Sequence, residues 1–254
     1  MNVIVCVKQI PDPALPGELD ADNTLKRDGK LILDESDSYG VEMALQLVGT
    51  AGGGEVSLVS MAPDEETSGL RTALAMGAEK AVLVSDPELA GADALTTAKV
   101  LAGAVGKAGE YDLIIAGTES SDGYTGTVPE QMAELLGLPS VTFAKSIEVD
   151  GESVKVERQT ELGFDEVTCP LPAVVSVTAG VVEPRYPSFK GIMAAKSKPV
   201  ENVTAADLGV ESVSWAQSIT DVADAPEREA GEIIEDEGDA YEKIVQFLDK
   251  LKLT

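Results

Sequence analysis

The sequence predicts an α/β protein built as three layers, a parallel sheet with helices on both faces, plus an extended C-terminal arm. Three observations predict it. Short runs rich in Val, Ile and Leu alternate with amphipathic stretches at βα spacing over the first half of the chain. Hydrophobic residues make up 44% of the chain but aromatics only 4%, and abundant Ala, Val and Gly suit close helix–sheet contacts. After about Glu183 the regular units do not resume, and the last fifty or so residues carry little that would pack on itself.

The elements follow in order. MNVIVCVKQ, Met1 to Gln9, reads as a buried parallel strand. Residues 12–34 are a polar excursion with a hairpin expected at Arg27-Asp28-Gly29-Lys30. A helix from about Ser38 to Val48 puts Tyr39, Met43, Ala44 and Leu47 on one face. Glu55–Val59 is the second strand, and Ser60-Met61-Ala62-Pro63 follows it. Asp64-Glu65-Glu66 open the next helix at the positive end of its dipole, and Gly77 caps its far end. Ala81–Val84 is a strand, Ala92–Ala108 a helix, Leu113–Ala116 a strand, and Val128–Leu136 a helix. At about residue 144 the period changes to 2. Lys145–Val149 and Ser153–Arg158 make a hairpin on an Asp150-Gly151 turn. Leu171–Val177 returns as a buried strand. An acidic linker from Asp221 to Asp239 leads to a terminal helix, Ala240–Leu251, with Ile244, Phe247, Leu248 and Leu251 on one face.

Composition excludes several functions. The net charge of −26 disfavours nucleic-acid phosphate and anionic membrane as partners. The acids are spread over every expected helix and loop, so the charge reads as adaptation to high internal salt rather than as an active surface. The chain has no His, which removes Ser-His-Asp catalysis and His-ligated metals. Cys6 and Cys169 lie far apart in apolar runs and read as reduced thiols. No run of 18 apolar residues occurs, and the N-terminus enters a strand directly. A soluble, cytoplasmic protein is therefore expected.

In an open parallel sheet, ligands bind beyond the carboxyl ends of the strands. Cys6-Val7-Lys8, Asp34-Glu35, Ser60–Pro63 and Gly117–Val128 take such positions. The last, GTESSDGYTGTV before Pro129, offers glycines for close approach, hydroxyls, and helix N-terminal amides for an anion. It matches neither a Walker A loop nor GxGxxG; by spacing alone, phosphate binding and an empty polar loop stand level. Lys8 could pair with a phosphate. Arg71, inside a helix, reads mainly as a surface or intersubunit residue.

Four segments, VCVKQ, SGLRTALAMGAEKAVLV (Ser68–Val84), DLIIAGTESSDGYTG and EPRYPSFKGIMAAK, come in an order that resembles the electron-transfer flavoprotein beta subunit throughout Met1–Ile192. The resemblance implies an adenine-nucleotide-alpha-hydrolase-like sheet whose loops close around an adenine nucleotide, AMP or a second FAD. The implied contacts are Cys6, Val7, Lys8, Asp34, Ser60, Met61, Gly117, Asp122, Thr125, Gly126, Thr127 and Val128. Gly126-Thr127-Val128-Pro129 stands where AMP-binding members carry Asn-Gln-Thr-Gly, while Thr125 and Val128 lean toward members holding a second FAD. Asp34 stands where Asn is usual, and Gln159 where many members carry an acid that tethers the moving flavin domain.

The resemblance also implies an alpha-subunit partner bearing the redox FAD, acyl-CoA or other flavin dehydrogenases as donors, and a quinone oxidoreductase as acceptor. Docking would use Tyr186, Phe189, Ile192 and Met193, with Phe189 as anchor and Lys196 and Lys198 at the end of its helix. Residues 1–183 would form the nucleotide-binding domain including the 145–158 hairpin, 184–199 the recognition segment, and 200–254 an arm wrapping the alpha subunit. No residue need act as acid, base or nucleophile in an electron relay. Two other readings stay open: a stand-alone adenine-nucleotide-binding domain of the stress-protein type, and a small enzyme using Asp122 or Glu119 as base, for which no partner group is evident.

Overall fold

The computed structural model describes residues 1–62, 64–210, 216–223, 225–226, 231, 233, 235–236 and 238–253. They fall into two compact units, Met1–Ile219 and Thr220–Thr254.

In the first unit the chain runs β1 (Asn2–Cys6), β2 (Gln9–Pro11), β3 (Leu31–Leu33), α1 (Glu35–Thr50), β4 (Glu55–Ala62), α2 (Ser68–Met76), β5 (Lys80–Ser85), α3 (Ala94–Ala108), β6 (Leu113–Gly117) and α4 (Val128–Leu136). A meander follows, β7 (Ser140–Asp150), β8 (Ser153–Thr160) and β9 (Gly163–Pro170), then β10 (Ala173–Val177), α5 (Phe189–Ala195) and β11 (Val200–Val203). One nine-stranded sheet has the order β11-β5-β4-β1-β6-β10-β7-β8-β9. It is parallel from β11 to β7, and only β8 and β9 are antiparallel to their neighbours. The expected α/β class is thus observed.

Strand order explains where a ligand can sit. After β1 the chain builds outward through β4 and β5, then crosses back to lay β6 on the other side of β1. That reversal is the topological switch point, and it opens a crevice beyond the carboxyl ends of β1 and β6. Alternate residues of β1 feed two cores. Val3 and Val5 pack with Val41, Leu58, Leu70 and Leu74, whereas Ile4 and Cys6 pack with Val59, Leu101 and Met132. A Cβ on Gly40 would lie 3.3 Å from Ile115 and 3.4 Å from Val5, so α1 rests almost directly on the sheet.

The structure departs from the sequence reading in several places. Helix α2 begins at Ser68, so Asp64-Glu65-Glu66 precede it and do not form its first turn. The strand expected over Met1–Gln9 breaks at Val7-Lys8, and β2 pairs instead with β3 in a separate two-stranded sheet. The tight turn of the excursion is not at 27–30 but at Ala21–Asn23, closed by the Leu19–Leu25 bridge. There Asn23 takes φ +64° and Asp22 accepts from the Thr24 amide at 3.1 Å, chemistry that Asn and Asp supply at low cost. The 145–158 hairpin is longer and gains a third strand, β9, whose mostly exposed face hides its pairing from an apolar-pattern reading. Residues 200–203, expected in the arm, form β11 on the edge of β5, and the first unit continues to Ile219.

Helix α5 is bound tightly to α2. A Cβ on Gly191 would run into the Ala75 carbonyl, so only glycine permits this approach. Arg71, inside α2, donates one guanidinium nitrogen to the carbonyls of Ala195 and Lys198, both at 2.7 Å, and so closes the end of α5. Lys198, expected to serve the end of α5, instead caps α2 through the carbonyls of Ala78 (2.6 Å) and Leu74 (3.3 Å).

The second unit contains α6 (Ala240–Lys250), close to the expected bounds, with Ile244, Phe247 and Leu251 exposed along it. The expected linker Asp221–Asp239 lies partly outside the described residues, as does Pro63 of the Ser60–Pro63 segment. No helix among the described residues is long and apolar enough to cross a membrane.

Candidate functional site

A cavity of about 510 Å³ opens at the switch point. Cys6, Val7 and Lys8 enter it from the end of β1, Met61 from β4, and Gly117 from β6; Asp122, Thr125, Gly126 and Val128 enter from the loop that follows. Cys6 is buried with its sulfur 3.8 Å from that of Met132, and burial, then the charge of Asp37, pushes its thiol up to about 12. It is a wall residue in its protonated form, not a nucleophile.

The polar lining of the cavity is built around an ion cluster. Asp122, nearly buried, accepts from the Lys8 ammonium at 2.6 Å and from the Arg27 guanidinium. Burial raises the Asp122 carboxyl, but Lys8 and then Arg27 outweigh it, and the group lies below the ordinary aspartate value. Lys8 also reaches Ser120 Oγ at 3.2 Å, and Arg27 the Gln9 carbonyl at 3.1 Å. The excursion is thereby tied to the loop after β6.

Three expected contacts do not line the cavity. Asp34 is fully buried: one oxygen caps α1 through the Ser36 amide (3.1 Å), the other takes the Ser121 amide (2.8 Å) and hydroxyl (3.0 Å). Its carboxyl group thereby ties the loop to the start of α1. Ser60 is fully buried in β4. The Thr127 hydroxyl accepts from Gln131 at 3.1 Å, one turn further along α4. Sequence reading in turn missed Gln9, Arg27, Asp37 and the 89–92 segment, all of which line the cavity. Arg27 carried no signal, because it sits in a stretch expected to be a surface turn. Asp37 accepts the Lys8 amide at 2.6 Å; burial, then Asp34, raises its carboxyl well above the ordinary range.

Much of the remaining lining is apolar and includes Leu89, Leu101, Val128, Pro129 and Ile219. A pocket within the ~300–1,000 Å³ range whose lining combines an ion cluster with aliphatic side chains suits a nucleotide, with its phosphate on the cluster and its base on the aliphatic wall. Lys8, Arg27 and the loop amides are the groups that could hold it.

A second feature lies on α5 and the turn before it. Tyr186 is 94% exposed, Phe189 82%, Met193 52% and Ile192 47%. Arg185 anchors the turn from beneath, donating to Glu42 of α1 at 2.6 and 2.9 Å. Gln159 is exposed on β8.

Fold and site together define a Rossmann-like α/β protein with a switch-point cavity and a separate exposed apolar patch. Residues 22–208 match the electron transfer flavoprotein domain, and the chain belongs to that family. It is 42% identical to the electron transfer flavoprotein subunit beta of Mycobacterium leprae over 97% of both chains. It is 33% identical to the subunit of the same name from Megasphaera elsdenii over 99% of this chain and 98% of the other. It is 35% identical to the caffeyl-CoA reductase-Etf complex subunit CarD of Acetobacterium woodii, over 83% of this chain and 80% of the other. The chain therefore has an electron transfer flavoprotein role.

Proposed function

We propose that this chain is the beta subunit of a heterodimeric electron-transfer flavoprotein that passes electrons from flavin dehydrogenases, such as acyl-CoA dehydrogenases, toward a quinone oxidoreductase. The redox FAD is held mainly by the alpha partner. This chain supplies the scaffold, the docking patch centred on Phe189, and a cavity for an adenine nucleotide. The nucleotide is FAD or AMP, with FAD favoured by Thr125 and Val128, both of which line the cavity. The C-terminal arm with α6 lies along the alpha subunit, which covers its exposed apolar side chains. The protein works in the cytoplasm, and its −26 charge suits a salt-rich one.

The observation that carries the nucleotide part is the cavity itself, at the switch point, whose basic lining residues among those described, Lys8 and Arg27, meet on one carboxylate. A FAD or AMP bound there needs no acid or base from the chain. The residues position it and keep water from its buried parts.

The test is to copurify both subunits, denature the pair and count nucleotides. Two FAD per heterodimer support the second-FAD form; one FAD plus one AMP overturns it in favour of AMP. A chain that purifies alone, folded and colourless, and binds a nucleotide only as a monomer would favour the stand-alone nucleotide-binding domain instead.

A further inference from the structure

We propose that Arg27, on the polar excursion between β2 and β3, is a phosphate-binding residue of the cavity and decides its selectivity for a nucleotide over the nucleoside. This rests on the reading of the cavity as an adenine-nucleotide site.

The charge distribution carries the argument. The chain has 45 acidic and 19 basic residues, so an anion reaching its surface meets a repulsive field. Among the described residues lining the cavity, Lys8 and Arg27 are the only basic ones. Both converge on the single carboxylate of Asp122, whose side chain is 8% exposed. Two cations on one anion leave one net positive charge at that point. Of the other acids on the wall, none among the described residues lies within ion-pair distance of Lys8 or Arg27: Asp20 and Glu119 are exposed to water, and Asp37 accepts the Lys8 backbone amide.

Geometry separates the two cations. Lys8 also contacts the Ser120 hydroxyl, which leaves one of its three N–H donors. Arg27 has five donors in a planar fork. One nitrogen reaches Asp122 and another the Gln9 carbonyl, which leaves donors for an oxyanion alongside Asp122. A guanidinium so held is already oriented, and phosphate is the anion that its fork matches in two places. Its side chain is 23% exposed, so the bond forms with little water in competition. The same residue fastens the excursion over the cavity, and a bound phosphate would therefore strengthen that closure.

The test uses the alpha–beta heterodimer stripped of loosely bound nucleotide, titrated with AMP and separately with adenosine. Arg27→Gln should weaken AMP about 10- to 100-fold, the range of one charge-assisted hydrogen bond, and leave adenosine unchanged. Arg27→Lys, which keeps the charge without the fork, should recover part of the loss. Equal AMP affinity in wild type and Arg27→Gln would overturn the proposal, as would a parallel loss of adenosine. Should the wild-type heterodimer bind neither AMP nor FAD in this cavity, the nucleotide reading itself fails, a result separable from the first because it appears before any substitution is made.

Discussion

Arg185 closes two guanidinium nitrogens on the carboxylate of Glu42, a side chain 5% exposed in the middle of α1. The pair ties the Pro184–Pro187 turn, and through it the exposed Tyr186 and Phe189, to the helix whose first turn builds the cavity wall. The two partners are not equivalent. Arg185 is 48% exposed and can turn to water, whereas Glu42 cannot. Arg185→Ala should therefore cost more stability, about 2–4 kcal/mol, than Glu42→Gln, about 1–2 kcal/mol. Melting curves of the two variants check the order, and a larger loss in Glu42→Gln would contradict it.

The same pair sets an acid limit. Burial raises the Glu42 carboxyl, but hydrogen bonds from Arg185 and Gln46 outweigh it, and the group sits below its usual value of 4.5. A lowered acid stabilises the fold above its unfolded value and loses that contribution as pH falls through the folded one. Stability should therefore drop below about pH 4.5 in the wild type, and the wild-type advantage over Glu42→Gln should shrink across the same interval. A constant difference between the two down to acid unfolding would refute this.

Asp34 binds two elements with one carboxylate, the start of α1 and the loop after β6. Asp34→Ala removes a helix cap and strands the Ser121 amide, for a cost of about 1–3 kcal/mol. Amide exchange at Ser121 and its neighbours should accelerate well beyond the change at β8, which Asp34 does not touch. Uniform acceleration would mean that Asp34 acts on global stability alone.

Gly191 stands where α5 meets the Ala75 carbonyl. Gly191→Ala must push the helices apart, at a cost of about 1–3 kcal/mol, although alanine is the better helix former. A melting temperature equal to or above wild type would show that α5 shifts freely.

Phe189 is exposed and supports nothing beneath it. Phe189→Ala should leave the melting temperature and flavin content unchanged while slowing reduction by the partner dehydrogenase. Unaltered reduction kinetics would remove Phe189 as the docking anchor.

Periodicity was enough for the βα elements. Helix α4 lies at its expected bounds because Pro129 and Gly137 mark both ends, and Val3–Cys6, Leu58 and Leu113–Ile115 are buried as apolar runs should be. Elements without such a pattern were not legible. Strand β9 is largely exposed, and β11 has four residues, of which only Val203 is buried; each exists because a neighbouring strand offers an unpaired edge. For β11 the partner strand lies about 120 residues back in the chain, which local signals cannot report; for β9 the exposed pattern hid a partner close by.

The candidate site divides along the same line. Sequence alone determined the core βα strands, the glycine-rich loop after β6 and the apolar segment around Phe189, since turn chemistry and hydrophobic pattern are local. The tertiary structure decided which charges meet. It drew Arg27 from a presumed surface turn onto Asp122, buried Asp34 as a fastening behind the wall, and turned Arg71 and Lys198 into helix caps. Those assignments depend on Coulombic and hydrogen-bond partners brought together from distant segments, and such energies arise only when the chain is folded.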